Sequence, residues 1–208
     1  MLKDAFFRWP WEMSLVPAVE YMKPIFLASP ELARYETDPK EGPLSEYIAL
    51  ICRQWDISPA WVLVSLQREQ SLLTKKCETE EARVKALKAA SGFVGRDVGR
   101  ADLPGYYGIR AQVYRCVEQT AWNMGIIGSD CWREWLRTRK TVNRYRPGIR
   151  LKVEGVPESI ICLNKDAQGW GDYAPITAGE YMQLSYTPHW HVLKANEDIA
   201  KKFAAQFI

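Results

Sequence analysis

The spacing of apolar residues predicts where the main helices of this chain begin and end. After Pro43, apolar side chains recur every three or four residues, at Leu44, Tyr47, Ile48, Ile51 and Trp55. This spacing is typical of the buried face of an α-helix. We therefore predict a helix from Pro43 to about Trp55.

The next apolar run predicts a helix over residues 59–73. Ser58 is a favourable N-cap, and Pro59 suits the first helical position because an N–H group has no helical partner there. Apolar residues occupy nearly every position at the start of this run. We therefore expect this helix to lie at the centre of the fold.

Capping residues and glycine stops predict the remaining helices. Thr79 and Thr177 are N-cap candidates, and Gly92 and Gly125 are expected to end helices. The predicted ranges are 80–90, 109–124, 130–139, 178–186 and 192–207.

Three segments depart from the helical pattern. The five prolines within residues 1–42 predict a wrapping segment with no long helix, only short ones at 17–22 and 30–35. Residues 92–108 contain five glycines and predict a long loop. Two short runs flank Gly155-Val156-Pro157 and predict a β-hairpin, at residues 150–154 and 159–163.

Together these elements predict a mainly α-helical fold with a small β-hairpin insertion. We expect a single domain, made of an N-terminal wrapping segment at residues 1–42 and a main body at residues 43–208. The 208 residues are 47% apolar and 25% charged, an ordinary composition for one globular domain. This composition excludes a disordered tail, a collagen-like fibre and a small disulfide scaffold.

Charge and hydropathy limit the classes of partner. The chain has 28 Lys and Arg against 25 Asp and Glu, a formal charge of +3, which is too weak to predict nucleic-acid binding. Its apolar runs are far shorter than the roughly 18 residues of a membrane span, so we expect no membrane insertion. The first residues contain no secretory signal, which favours synthesis in a reducing cytoplasm. We expect a monomer.

Cysteines and histidines give no sign of a metal site. The cysteines are five in number and form no CxxC pair, which predicts free, mostly buried thiols at Cys52, Cys77, Cys116, Cys131 and Cys162. His189 and His191 have no third ligand at a metal-binding spacing, so we interpret them as surface histidines. We therefore expect neither a metal nor a cofactor.

Glu69 is the strongest candidate for chemistry. In the predicted helix it shares a face with apolar residues, namely Val62, Leu66, Leu72 and Leu73. A carboxyl group among apolar side chains should keep its proton near neutral pH, as a general acid requires. The alternative is that Glu69 pairs with an arginine or emerges at the helix end beside Arg68 and Gln70. We expect a Glu69 carboxyl group that is capped by an arginine, or walled off from any cavity, to overturn the enzymatic interpretation.

Three segments resemble proteins of the lysozyme-like superfamily. Residues 57–74, with Gln67-Arg68-Glu69-Gln70-Ser71-Leu72, resemble its catalytic helix and, more narrowly, the "NPxxLLxxLQKEQSL" stretch of bacterial and phage members. Residues 106–114 are similar to their "YYGFxxQVY" segment, a relative of the Gly-Leu-Met-Gln motif of lytic transglycosylases. Residues 184–189 resemble their "LYxYTPH" segment.

The resemblance implies a lysozyme-like helical domain that cleaves peptidoglycan. The bond would be the β-1,4 link between N-acetylmuramic acid and N-acetylglucosamine, with Glu69 as general acid. The implied substrate-binding residues are Ser71, Tyr107, Gln112 and Tyr186. Asp97 and Asp102 in the predicted loop are available as a second carboxylate, although no motif fixes either one.

Two features depart from the family pattern. Residues 91–95 lack the paired cysteines of the family's "YGC" loop, and Arg110 replaces an apolar residue of the Gly-Leu-Met-Gln pattern. The first difference bears on the sugar contacts more than on Glu69. Among the nine tryptophans, the candidates for stacking on sugar rings are Trp122, Trp132, Trp135 and Trp170.

Other functions stay open at this stage. Without a second carboxylate, Glu69 would act as acid and then as base and leave a 1,6-anhydro product, as in lytic transglycosylases. A non-catalytic domain that binds glycan or builds a virion is another interpretation, and a cysteine amidase or peptidase with His189 or His191 is a third. We expect a phage endolysin or virion component, or a secreted bacterial enzyme whose leader is absent from this sequence.

Overall fold

The computed structural model describes residues 2–10, 13–91, 108–125 and 145–207. Over these ranges the chain is mainly α-helical with a small two-stranded antiparallel sheet, and the predicted fold class is confirmed. The elements in chain order are α1 (Asp4–Phe7), α2 (Leu15–Ala28), α3 (Ala33–Glu36), α4 (Leu44–Gln54), α5 (Pro59–Gln70), α6 (Glu80–Lys88), α7 (Ile109–Met124), β1 (Leu151–Glu154), β2 (Trp170–Tyr173), α8 (Ala178–Tyr186), α9 (His191–Phe203) and a 3₁₀ turn (Ala205–Phe207).

The central helix α5 begins as predicted and ends three residues early. The Ser58 hydroxyl accepts the N–H of Ala60 at 3.2 Å and caps the first turn. All residues from Pro59 to Leu66 are buried. The helix ends because Ser71 adopts a left-handed conformation with φ 55°. This turn directs the following segment back toward the core.

The short helix predicted at residues 17–22 is part of a much longer helix. Helix α2 is 14 residues long and has Pro24 inside it. Ala18, Met22 and Phe26 recur every four residues and are fully buried, where α2 packs against α4. Their burial outweighs the roughly 3 kcal/mol that an interior proline costs a helix. The prediction that prolines prevent a long helix here is wrong.

The predicted partner of the first strand is also wrong. Strand β1 pairs with β2, whereas the predicted partner, residues 159–163, contributes a bridge from Leu163 to Asp172. The chain turns into β2 later, at Asp166, whose carboxylate accepts the N–H of Trp170 at 2.8 Å. The sheet is therefore closed by a longer connection than a tight hairpin.

The remaining helix predictions agree with the structure within a few residues. Helices α4, α7 and α8 have the predicted bounds to within one residue, and α6 ends two residues early. The predicted last helix begins one residue earlier and ends as a 3₁₀ turn. The predicted helix at 130–139 and nearly all of the predicted loop at 92–108 lie outside the described residues.

The core places the end of α5 beside α9. A large apolar cluster includes buried residues from α1, α2, α4, α5 and α7, and a smaller one joins the sheet to α8 and α9. Helix α9 packs along α5. None of the described helices is long and apolar enough to cross a membrane.

Candidate functional site

Glu69 lies in the last turn of α5, where the buried helix reaches the surface. Its side chain is 23% exposed, whereas every position from Pro59 to Leu66 is buried. Ser71 ends the helix two residues later with its left-handed backbone. Glu69 therefore lies at the edge of the core near a helix end, as in the alternative of a residue that emerges beside Arg68 and Gln70, and not inside a helix that continues to residue 73.

The surroundings of Glu69 differ from the prediction. Arg68 Nε donates a hydrogen bond to Glu69 Oε1 at 2.8 Å, and Arg68 Nη2 lies 2.6 Å from the same oxygen. Successive residues of a helix point in different directions, so both side chains bend to meet. A guanidinium at this position stabilises the ionised carboxylate. The expectation of a carboxyl group isolated among apolar side chains is wrong, and the alternative, that Glu69 pairs with an arginine, agrees with the structure.

Arg68 is itself held by buried amide side chains. Its Nη1 donates to Asn196 Oδ1 at 3.3 Å, and Asn196 Nδ2 donates to Gln183 Oε1 at 3.1 Å. The Gln183 amide in turn donates to the backbone carbonyl of Gly179 at 3.2 Å. Asn196 and Gln183 have no exposed surface. These bonds connect α5 to α8 and α9 through one polar chain.

The face of Arg68 packs on an aromatic ring of its own helix. Arg68 Cζ lies 5.2 Å from the ring centre of Trp61, one of the largest fully buried side chains. The two residues are seven positions apart and therefore share a helix face. With this stacking and the Asn196 bond, the guanidinium has few ways to move.

Helix α7 approaches the pair from another side. The Cys116 thiol lies 3.4 Å from the Ser65 hydroxyl, and burial raises its pKa to about 11, with Arg68 lowering and Glu69 raising that value. Burial likewise raises the pKa of Cys52. Two fully buried, protonated thiols are poor nucleophiles, which weakens the cysteine amidase interpretation for these two residues.

Polar amides continue along the same face of α7. Gln119 Nε2 donates to Asn123 Oδ1 at 2.9 Å, and Asn123 Nδ2 donates to the Ser185 hydroxyl of α8 at 3.4 Å. Cys116, Gln119 and Asn123 follow one another at spacings of three and four, so they lie on one side of the helix. Gln119 and Ser185 are partly exposed. Amide donors and acceptors thus run along this face of α7 to the end of α8.

Gln112 has a different environment from the one expected of a sugar-binding residue. It is 4% exposed, in the first turn of α7. The Ser91 hydroxyl donates to its backbone carbonyl at 2.6 Å, and the Ser91 N–H donates to Oε1 at 3.4 Å. In this structure Gln112 holds the segment after α6 against α7, and its contact with substrate stays a prediction.

The other predicted site residues are only partly within the described ranges. Tyr107, Asp97 and Asp102 lie outside them, and so does the side chain of Tyr186, whose backbone ends α8. The stacking candidates Trp132 and Trp135, and the thiol of Cys131, also lie outside them.

Two stacking candidates are described, and they differ. Trp122 is 3% exposed and belongs to the large core cluster, so its ring is not available to a sugar in this structure. Trp170 is partly exposed, and its ring centre lies 5.4 Å from that of His189 in an edge contact.

His189 has a partner that the sequence analysis did not identify. Its Nδ1 lies 2.5 Å from Glu154 Oε2, and its ring centre lies 5.6 Å from that of His191. No group of three His, Cys, Asp or Glu side chains among the described residues has the geometry to hold a metal ion. The Glu154–His189 pair joins the end of β1 to the turn before α9.

The sequence carried a partial signal for the residues that were missed. In α9, Asn196 occupies the apolar face between Val192 and Ala200, four residues from each, and a polar residue in such a stripe needs a buried partner. This pattern indicates that Asn196 is buried with a polar partner, but it does not identify that partner. An arginine partner for Glu69 was one of the alternatives, although adjacent helix positions do not ordinarily pair and so do not single out Arg68.

We found no significant match for this chain among protein-family models, curated protein sequences or solved structures. The resemblance to the lysozyme-like superfamily therefore rests on the three quoted segments alone.

Proposed function

We propose that this chain cleaves the glycan strands of bacterial peptidoglycan, with Glu69 as the general acid. The observation that carries the proposal is the place of Glu69, a partly exposed carboxyl group at the end of a central buried helix. The resemblance of residues 57–74 to the catalytic helix of the lysozyme-like superfamily supports the same residue.

Arg68 is the arginine partner that was expected to overturn an enzymatic interpretation, so this mechanism holds only if Glu69 takes up a proton beside the guanidinium. Glycosidases need one carboxyl group that gives a proton to the leaving oxygen, and a carboxylate paired with a guanidinium must first take up that proton. Among the described residues, Glu69 Oε1 is the oxygen with recorded partners, which leaves Oε2 for the proton and the glycosidic oxygen. In the transglycosylase alternative, the same carboxyl group donates a proton and then removes one from the sugar's 6-hydroxyl.

The amides on the Cys116 face of α7 suit an acetamido sugar. An N-acetyl group presents one carbonyl acceptor and one N–H donor, and a primary amide can satisfy both. Gln119 is partly exposed on the α7 face that also carries Cys116, whose thiol senses the charge of Glu69. We assign Gln119 and Ser185 to the recognition of N-acetyl groups within this proposal.

Product analysis tests the reaction class. Purified peptidoglycan is digested with the wild-type protein, with Glu69→Gln and with the control Glu158→Gln, which changes an exposed carboxyl group elsewhere. Mass spectrometry then identifies the new ends. Reducing muramic acid ends indicate hydrolysis, and 1,6-anhydro ends indicate a transglycosylase. New peptide ends without glycan ends would contradict the proposal.

The Arg68 pair favours a second candidate, a non-catalytic domain that binds glycan or builds a virion. A carboxylate held by an arginine is a common structural feature, and here it also ties α5 to α9. This candidate predicts binding to peptidoglycan in a pull-down with no release of soluble fragments. It also predicts that Glu69→Gln changes the stability of the fold and leaves the glycan unaffected.

A further inference from the structure

We propose that Arg68 is a positioning residue, held by Asn196 and Gln183, that fixes the orientation and the charge of the Glu69 carboxyl group. Its effect on catalysis rests on the function proposed above. Its effect on the protonation of Glu69 does not, and each can be measured separately.

The contacts of Arg68 fix the direction of its guanidinium. One edge, Nε and Nη2, meets Glu69 Oε1, while Nη1 meets Asn196, and the Trp61 ring lies against its face. Partners on two edges and one face define both the position and the plane of the group. The Glu69 oxygen bound to it is therefore held in one place.

The groups of the neighbouring helices described in contact with the pair are neutral, and charged side chains of those helices pair with each other, Arg115 with Glu118 in α7 and Lys201 with Glu197 in α9. Helices α8 and α9 bring the neutral amides Gln183 and Asn196, and α7 brings the Cys116 thiol, which burial keeps protonated by raising its pKa to about 11. Among the described residues, Arg68 is thus the charged group that contacts the Glu69 carboxylate. Its side chain is 10% exposed, so solvent ions screen the pair less than they would a surface pair.

A buried guanidinium such as that of Arg68 is energetically costly if its only role is to hold helices together. Burying a guanidinium requires partners for its charge and for its N–H groups, whereas apolar side chains could join α5 to α9 without that cost. The series of hydrogen bonds from Gly179 through Gln183, Asn196 and Arg68 ends at Glu69 Oε1. This arrangement is what a site needs in order to hold a reactive carboxyl group in place.

The proposal makes a directional prediction about pH. Protonation of Glu69 gives up its attraction to Arg68, so Arg68 opposes protonation. Removing Arg68 should let Glu69 keep its proton to higher pH, and the basic limb of the kcat against pH profile should move to higher pH. Loosening Arg68 through Asn196 should move it in the same direction by a smaller amount.

The experiment compares the wild-type chain with Arg68→Gln, Arg68→Lys and Asn196→Ala. The matched control is Arg83→Gln, since Arg83 also pairs with a glutamate, Glu80, but on the exposed surface of α6. Two quantities are measured for each: the pH profiles of kcat and KM on peptidoglycan fragments, and the titration of the Glu69 carboxyl carbon by NMR. The Glu69→Gln variant assigns the NMR signal, and denaturant unfolding confirms that each variant is folded.

We expect Arg68→Gln to move the Glu69 titration midpoint and the basic limb to higher pH. Arg68→Lys should restore most of the midpoint, because it keeps the charge, but not the full kcat, because it lacks the planar fork. Arg83→Gln should change neither quantity. If Arg68→Gln does not fold, the same comparison is made with Arg68→Lys and Asn196→Ala.

The two readouts separate the two claims. If the folded variants show the wild-type midpoint at Glu69, the positioning proposal is overturned, whether or not the protein cleaves glycan. If the midpoint moves but the wild-type protein releases no glycan ends, the proposed function fails and the assignment of Arg68 to Glu69 stands. A shift of the midpoint with no change in the kcat profile would remove the catalytic consequence of the proposal.

Discussion

Gly179 in α8 and Phe7 in α1 are in such close contact that a Cβ atom on Gly179 would lie 2.6 Å from Phe7 Cε2. The same glycine donates its N–H to Asp4 Oδ1 at 2.7 Å. Phe7 is fully buried beside Trp61 of the central helix. The N-terminal segment is therefore joined to α8 at a point where only a hydrogen atom fits.

Gly179→Ala should destabilise the fold by about 1–3 kcal/mol, because the new methyl group must displace a buried ring. Urea unfolding measures the change. The control is the same substitution in a Phe7→Leu background, where the smaller side chain leaves room and the added cost should be smaller. An equal cost in both backgrounds would show that the Phe7 contact is not the cause.

Pro24→Ala should stabilise the fold by about 1–3 kcal/mol. The proline lies in the interior of α2, where it removes a helical hydrogen bond, and its side chain is exposed. Pro17→Ala, near the first turn of the same helix, should change the stability less. Thermal or urea unfolding measures the stability of the two variants. A larger gain in stability for Pro17→Ala than for Pro24→Ala would contradict the prediction.

The proline result shows what could be predicted from the sequence and what could not. Helix α7 was predicted with the correct bounds, because Gly125 marks its end with a local conformation, φ 66°. Only residues 17–22 of helix α2 were predicted, because the burial of Met22 and Phe26 depends on α4, a distant segment. Local rules describe the cost of Pro24 but not the packing that offsets it.

The sheet and the site show the same limit. The spacing of apolar residues identified β1, but its pairing with β2 depends on a turn several residues beyond the predicted hairpin. The helix that carries Glu69 was predicted from the spacing of apolar residues, whereas the bond that anchors its partner Arg68 comes from Asn196 of the distant α9. Hydrogen bonds between distant segments leave little trace in a single sequence.

Asn196→Ala should cost about 1–3 kcal/mol of stability, because it leaves buried polar groups of Gln183 and Arg68 without this partner. The matched control on the same helix is Asp198→Ala, which removes an exposed pair with Lys194 and should change the stability little. Urea unfolding at neutral pH compares the two. A loss at Asn196 no larger than at Asp198 would contradict the network.

Alkaline pH should destabilise the fold in part through Cys116. Burial raises the pKa of this thiol from its ordinary value of 9.0 to about 11. Between these values the unfolded chain releases the proton and the folded chain keeps it, so stability is complete below about pH 9 and falls toward pH 11. Cys116→Ala should reduce this loss of unfolding free energy, by at most the amount that the release of one proton contributes.

The control for this pH effect is Val117→Ala, which removes buried volume from the next position of α7 without removing a thiol. Urea unfolding between about pH 8 and pH 11 gives the slope for each variant. The slope should become shallower in Cys116→Ala and stay as in the wild type in Val117→Ala. Equal slopes in all three proteins would rule out a contribution from Cys116.

The central claim is that the Glu69 carboxyl group breaks a glycosidic bond, and the rate of release of new glycan ends from purified peptidoglycan tests it most directly. We predict that the wild-type protein and Glu158→Gln release these ends at similar rates. The rate with Glu69→Gln should be lower by about 100-fold or more, as for the loss of a general acid. Equal rates with and without the Glu69 carboxyl group, in folded proteins, would contradict the account.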